Sequence, residues 1–275
     1  MAMGNLASRF LVAGLLAPII ILAMYQDRPE YFWAIVFAGS LIGMYEFFSM
    51  TVEDQTDRLV SLVCGAGAVA AMYWLPGRRG GELLACFVAV VPVALYYLFR
   101  FGDMTTAAPR FGASVTGIVY AGMLLTFLAL IKRDFGSDGG DLVLLVLLIG
   151  WLGDTSAYFA GRFLGKRKLY PAVSPGKTWA GVYGAFILVL VYALAAASLL
   201  GLPMERWVLF VGLSVAMVPV SVVGDLFESL LKRQAGLKDS SHLLPGHGGM
   251  LDRIDSLTAA APLFMLGLTW LGMRA

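Results

Sequence analysis

Apolar runs at residues 10–25, 31–50, 59–76, 82–99, 112–131, 142–160, 178–200, 207–224 and 257–273 leave only short polar connections between them. A helix of roughly 20 apolar residues crosses a bilayer's hydrocarbon core. Inside that core every backbone N–H and C=O needs an internal partner, which favours helices for such runs. Composition agrees: 59% of residues are hydrophobic and 14% charged, against roughly 25% charged in soluble domains. The expected fold is all-α, a polytopic integral membrane protein of about nine transmembrane helices with a polar cavity facing the cytoplasm. Arg9 ahead of the first run looks like the flank of a signal peptide, but no small-residue cleavage site follows. That run is read as the first membrane helix. Gly, Ala and Ser at close spacing in several runs suit tight helix packing in lipid. Cys64 and Cys86 are too few, and too deep in apolar runs, for a disulfide framework or a zinc site.

Charge sets the expected orientation. With nine spans, the N-terminus shares a side with the connections near 55, 105, 170 and 240. Thirteen of the 20 lysines and arginines fall on that side, and the positive-inside rule makes it cytoplasmic. The polar connections 161–177 and 225–256 then face the cytosol, where nucleotides are available.

The densest polar stretch is Ser229–Asp255. Lipid exposure of so many ionisable groups is costly, so they are expected to face water, a partner or a substrate. Asp225, Glu228, Ser229 and Lys232 stand at i, i+3, i+4 and i+7, one face of a helix, with Leu226, Phe227, Leu230 and Leu231 opposite. An amphipathic helix on the membrane surface is the plainer alternative. Pro245 and the glycines 246, 248 and 249 make a tight loop whose N–H groups are able to turn toward an anion. Asp252 and Asp255, one helical turn apart, flank Arg253; helix-start acids also favour the dipole. Upstream, Asp154 lies at the end of the sixth span, and an intramembrane aspartate is a functional candidate. Gly176-Lys177-Thr178 ends like a Walker A loop, but Pro171 stands where that motif needs glycine, so the reading fails. Lys177, at an expected helix start, is placed to bind phosphate. His242 and His247 share no helix face, which excludes a helical two-histidine zinc site. Acid clusters with cations and glycine loops point instead to magnesium and phosphate.

Taken together, Ser229, Lys232, Arg233, Lys238, Asp239, Pro245, His247, Gly248, Gly249, Asp252, Arg253 and Asp255 resemble, at every fixed position, the signature of bacterial phosphatidate cytidylyltransferases (CDP-diacylglycerol synthases). DTSAYFAGRFLG, SPGKTWAG and GDLFESLLKR are similar to companion motifs of that family. The resemblance covers roughly 154–256. Ala180 departs from it, standing where relatives often carry a polar residue. Glu46 and the polar loop 51–58 stay unassigned.

The resemblance implies transfer of the cytidylyl group of CTP to phosphatidate, giving CDP-diacylglycerol and pyrophosphate. It implies magnesium, with a second metal ion left open, a homodimer in the bacterial inner membrane, and no nucleic-acid partner. Residues 1–150 are then a scaffold and 151–275 the catalytic part of one membrane domain. Asp225 and Asp252 are the expected metal ligands, with Asp255, Glu228 and Asp154 behind them. Lys177, Lys232, Arg233 and Arg253 are expected to neutralise phosphates. Ser174, Ser229, Lys238 and the loop Gly246, Gly248 and Gly249 are expected to bind substrate, and His247 to donate to a phosphate oxygen. A CTP-dependent lipid kinase and an anion or lipid transporter are the alternatives. The crowding of polar residues into one half of the chain disfavours the paired halves of many transporters.

Overall fold

The computed structural model describes residues 14–75, 80–100, 104–243, 246 and 248–272. It is an all-α membrane protein with one small β-hairpin. Its helices are α1 (Gly14–Met24), α2 (Glu30–Thr51), α3 (Gln55–Trp74), α4 (Gly80–Phe99), α5 (Met104–Gly117), α6 (Leu124–Asp134), α7 (Gly139–Leu164), α8 (Trp179–Leu199), α9 (Met204–Gln234) and α10 (Leu251–Trp270). A π-helical segment, Ile118–Met123, makes α5 and α6 continuous. Among the described residues, six helices are long and apolar enough to cross a membrane. The other helices at expected spans, α1, α3 and α10, fall short of that test. Polar first turns, with Asp57 and Arg58 in α3 and Asp252, Arg253 and Asp255 in α10, lower their average hydropathy. Residues 10–13 of the first expected span lie outside the described residues.

Contacts divide the chain into two compact units, Met1–Leu130 with Gln234–Ile254, and Ile131–Arg233 with Asp255–Ala275. In the first unit, α2 packs on the α5–α6 helix through glycines. A Cβ at Gly122 would lie 2.9 Å from Met44 Sδ, and one at Gly117 would strike Phe47 and Phe48. Gly43 gives the start of α10 room, since a Cβ there would sit 2.9 Å from Ile254. These close approaches fix the turn of α2 that carries Glu46. Asp54 caps α3, accepting from the N–H groups of Thr56 (2.8 Å) and Asp57 (3.1 Å). The loop 51–58, unassigned by sequence, is part of an ion-pair node. The Asp57 side chain is fully buried, accepts from Tyr96 Oη at 2.8 Å, and pairs with Arg100, which also reaches Asp54 at 2.9 Å. Arg110 stands 3.6 Å from Asp57. The node joins the starts and ends of α3, α4 and α5, and its charges compensate one another. Cys64 and Cys86 are free thiols, and Cys86 is exposed on α4 rather than deep in the protein.

In the second unit, α7 and α8 meet through small residues, as membrane helices often do. A Cβ on Gly181 would lie 2.7 Å from the Ala157 carbonyl, and one on Gly184 would lie 2.5 Å from the Ala160 methyl. Between these helices the chain folds back as an antiparallel hairpin, β1 (Lys168–Tyr170) on β2 (Ser174–Thr178), with Lys168 opposite Thr178 and Tyr170 opposite Ser174. Among the described residues, that is the one departure from an all-helical expectation. α9 runs ten residues past the expected end at 224 and takes in the start of the polar signature. Nothing between 224 and 234 breaks a helix; Gly236, at φ 70°, follows its end.

Candidate active site

The polar stripe of α9 is the buried side of that helix. Glu228 is fully buried and Lys232 is 8% exposed, whereas Leu230 on the opposite face is 47% exposed. A surface amphipathic helix has the reverse arrangement in water, so this face is built to hold charge inside the protein. Lys232 Nζ donates to Glu228 Oε2 at 2.9 Å, and Ser229 Oγ donates to Asp225 Oδ1 at 3.3 Å. Asp225, Glu228 and Asp255 bring carboxylate oxygens within 4.8 Å of one another. Three carboxylates at that spacing repel strongly unless cations or protons are drawn among them.

The cluster depends on a close helix approach. A Cβ on Gly224 would lie 2.6 Å from the Asp255 carbonyl oxygen and 3.1 Å from the Ala259 methyl. Gly224→Ala is therefore expected to push α9 and α10 apart at the acids. It should cost about 1–3 kcal/mol of stability from overpacking, and lower activity further because the carboxylates separate. Thermal unfolding and steady-state assays of the same preparation check both effects, and an unperturbed variant would contradict the packing argument.

The hairpin supplies the facing cation. Lys177 belongs to β2 rather than to a helix start, and its Nζ lies 2.5 Å from Asp225 Oδ2. Thr178 caps α8, its hydroxyl accepting from Gly181 N–H at 3.2 Å. Arg233 Nε donates to the Val173 carbonyl at 3.3 Å, tying the hairpin turn to the end of α9. Thus one of the expected phosphate cations also anchors the hairpin. Asp154, Arg162, Lys168, Ser174, Lys177 and Asp225 all line a cavity of about 640 Å³.

In the first unit Ser240, Ser241 and the residues 249–251 gather around two carboxylates. Asp252 Oδ2 accepts from Ser240 N–H (3.0 Å), Ser240 Oγ (3.0 Å) and Gly249 N–H (2.8 Å). Glu46 is 3% exposed. Its Oε1 accepts from Ser241 Oγ at 2.5 Å and Met250 N–H at 3.0 Å. Its Oε2 accepts from Ser240 Oγ at 3.0 Å and Leu251 N–H at 2.7 Å. The Gly249 N–H, expected to face a phosphate, is donated here to Asp252. Asp252, expected as a principal ligand, directs Oδ2 into its own loop. Asp154 lies outside the three-carboxylate cluster, though it lines the cavity. Gly246 and Gly248 take φ values of 76° and 80°, which favour glycine. Arg253 and Lys238 are exposed. His247 and Pro245 lie outside the described residues. Sequence reasoning missed the role of Glu46, whose signal was a lone acid inside an apolar span.

A sequence profile of the cytidylyltransferase family matches residues 7–271. The chain belongs to this family. A phosphatidate cytidylyltransferase of Pseudomonas aeruginosa is 37% identical over 269 residues, covering 96% of this chain and 97% of its own. The family member of that name from Thermotoga maritima is 30% identical over 265 residues, 95% of each chain. One from Haemophilus influenzae reaches 56% over 129 residues, 45% of this chain and 44% of its own. Similarity thus runs through the N-terminal helices as well as the motif-bearing part, which places Glu46 within the matched region.

Proposed function

We propose that this protein transfers the cytidylyl group of CTP to phosphatidate, releasing pyrophosphate and forming CDP-diacylglycerol. The observation that carries the reading is the buried α9 face. It sets three carboxylates against Lys177 and Lys232, with Asp225 and Lys177 in the wall of a cavity, in a membrane chain of the cytidylyltransferase family. An oxygen of the phosphatidate phosphate attacks the α-phosphorus of CTP. The bond from that phosphorus to the oxygen bridging to the β-phosphate breaks, and pyrophosphate leaves. The attacking oxygen is already anionic at neutral pH, so the protein's task is positioning and charge neutralisation rather than proton removal.

Clustered carboxylate oxygens are the donor set that magnesium prefers, so Asp225, Glu228 and Asp255 fit as its holders. Bound there, magnesium would supply charge neutralisation for the phosphates. Lys177 and Lys232 are tethered to Asp225 and Glu228 and are poised to exchange those partners for phosphate oxygens. Arg253 and Lys238 are exposed and basic, as groups that bind phosphate would be. Ser174 lines the same cavity as Lys177 and offers a hydroxyl donor. This reading extends to nine spans, a homodimer, and a cavity open to the cytoplasm in the bacterial inner membrane. The one-sided distribution of basic residues supports the orientation.

Purified protein incubated with phosphatidate, radiolabelled CTP and magnesium should yield labelled CDP-lipid, with pyrophosphate released. Lipid phosphate with CDP, from a lipid alcohol, would instead identify a kinase. Anion flux into proteoliposomes without CTP turnover would identify a transporter.

A further inference from the structure

Glu46 is a carboxylate in an apolar helix, a placement that is costly unless polar partners meet it. Four donors do, all from 240–251, across 194 to 205 residues of sequence. Two are the backbone N–H groups of Met250 and Leu251, at the start of α10, where a helix cannot satisfy its own N–H groups. Glu46 therefore caps α10 from a different helix, with charge of the sign that the helix start favours. The other two are the hydroxyls of Ser240 and Ser241. Ser240 is the joint: its Oγ lies 3.0 Å from both Glu46 Oε2 and Asp252 Oδ2, and its N–H donates to Asp252. Gly249 completes the fit, because a Cβ there would lie 2.6 Å from Glu46 Oε2.

We infer that Glu46 is a positioning residue for cytidylyl transfer, holding Ser240, Ser241 and the start of α10 in the shape that presents Asp252. The inference rests on the proposed function. Both carboxylate oxygens are already met by two donor groups each, the single Ser240 hydroxyl proton being shared with Asp252, so Glu46 acts on the reaction through these groups rather than by touching substrate. The signature residues Gly249 and Asp252 are shaped around an acid far outside the signature.

Glu46→Gln tests this. The amide keeps the shape but turns an NH₂ toward a backbone N–H that cannot accept, breaking at least one arm of the cap. In purified, folded protein, kcat is expected to fall at least about 30-fold while the KM for CTP changes less than about threefold. Amide exchange at 248–252 should accelerate about tenfold, with α7 and α8 unchanged. Glu46→Asp retains both oxygens and should recover at least about fivefold in kcat over the glutamine variant. If Glu46→Gln does not accumulate, Ser241→Ala removes one donor and should accelerate the same amides by about threefold. Wild-type kcat with wild-type exchange overturns the inference, as does acceleration spread uniformly over α7 and α8. A wild-type protein that made no CDP-lipid would sink the proposed function, while the exchange measurement would still decide the role of Glu46 in holding the segment.

Discussion

Asp225→Asn should lower kcat by about 10³-fold at saturating magnesium and leave the protein folded. Asp225 is the residue where the site's parts meet. It shares the carboxylate cluster with Glu228 and Asp255, receives Lys177 at 2.5 Å, accepts from Ser229, and lines the cavity. Asparagine preserves volume and one acceptor oxygen but removes the charge that a metal ion and Lys177 would answer. Stability should move by less than about 1 kcal/mol, since Lys177 and Asp225 are partly exposed and such pairs contribute little. Relief of repulsion among the acids opposes what is lost. A thermal unfolding curve beside a CTP-turnover assay separates chemistry from fold. Turnover near the wild-type rate at saturating magnesium would remove Asp225 from the metal assignment.

Lys232→Met should be the most damaging single change to stability. Glu228 is fully buried, and Lys232 supplies a cation 2.9 Å from its carboxylate. Methionine keeps most of the apolar stem while removing that charge. Breaking a buried pair from one side costs about 3–5 kcal/mol, which lowers the melting temperature by about 10 °C in a chain of this size. Activity should fall as well, because Lys232 is a cation of the buried α9 face proposed to meet phosphate. The double variant Glu228→Gln with Lys232→Met should recover most of the stability and none of the activity. That pattern separates the ion pair's structural contribution from phosphate binding. An unchanged melting temperature in the single variant would show that the pair contributes nothing net.

The polar stripe of α9 was legible because i, i+3, i+4 and i+7 spacing is a local property: Asp225, Glu228, Ser229 and Lys232 share a face in any helix that includes them. Whether that face looks outward or inward is not local. Packing put Glu228 and Lys232 inside and left Leu230 outside. The glycines 246 and 248 were legible as turn positions, and both take positive φ. The partner of the Gly249 N–H was not, because it is Asp252, three residues on. Lys177 was recognised as a phosphate candidate on a helix start, yet a short hairpin carries it. Three residues of β1 are too few to show a period-2 pattern.

By itself the sequence determined the class of the protein and its principal helices, and it singled out the segment in which charge crowds. Hydropathy over about 20 residues follows from local composition, and charge crowding in so apolar a chain has few tolerable explanations. Only the tertiary structure decided which acids stand together. Asp255 and Glu228 join Asp225 because Gly224 admits a backbone carbonyl at close range. It also decided what Glu46 is for. One buried carboxylate in an apolar helix calls for partners but does not name them, and its four lie about 200 residues away.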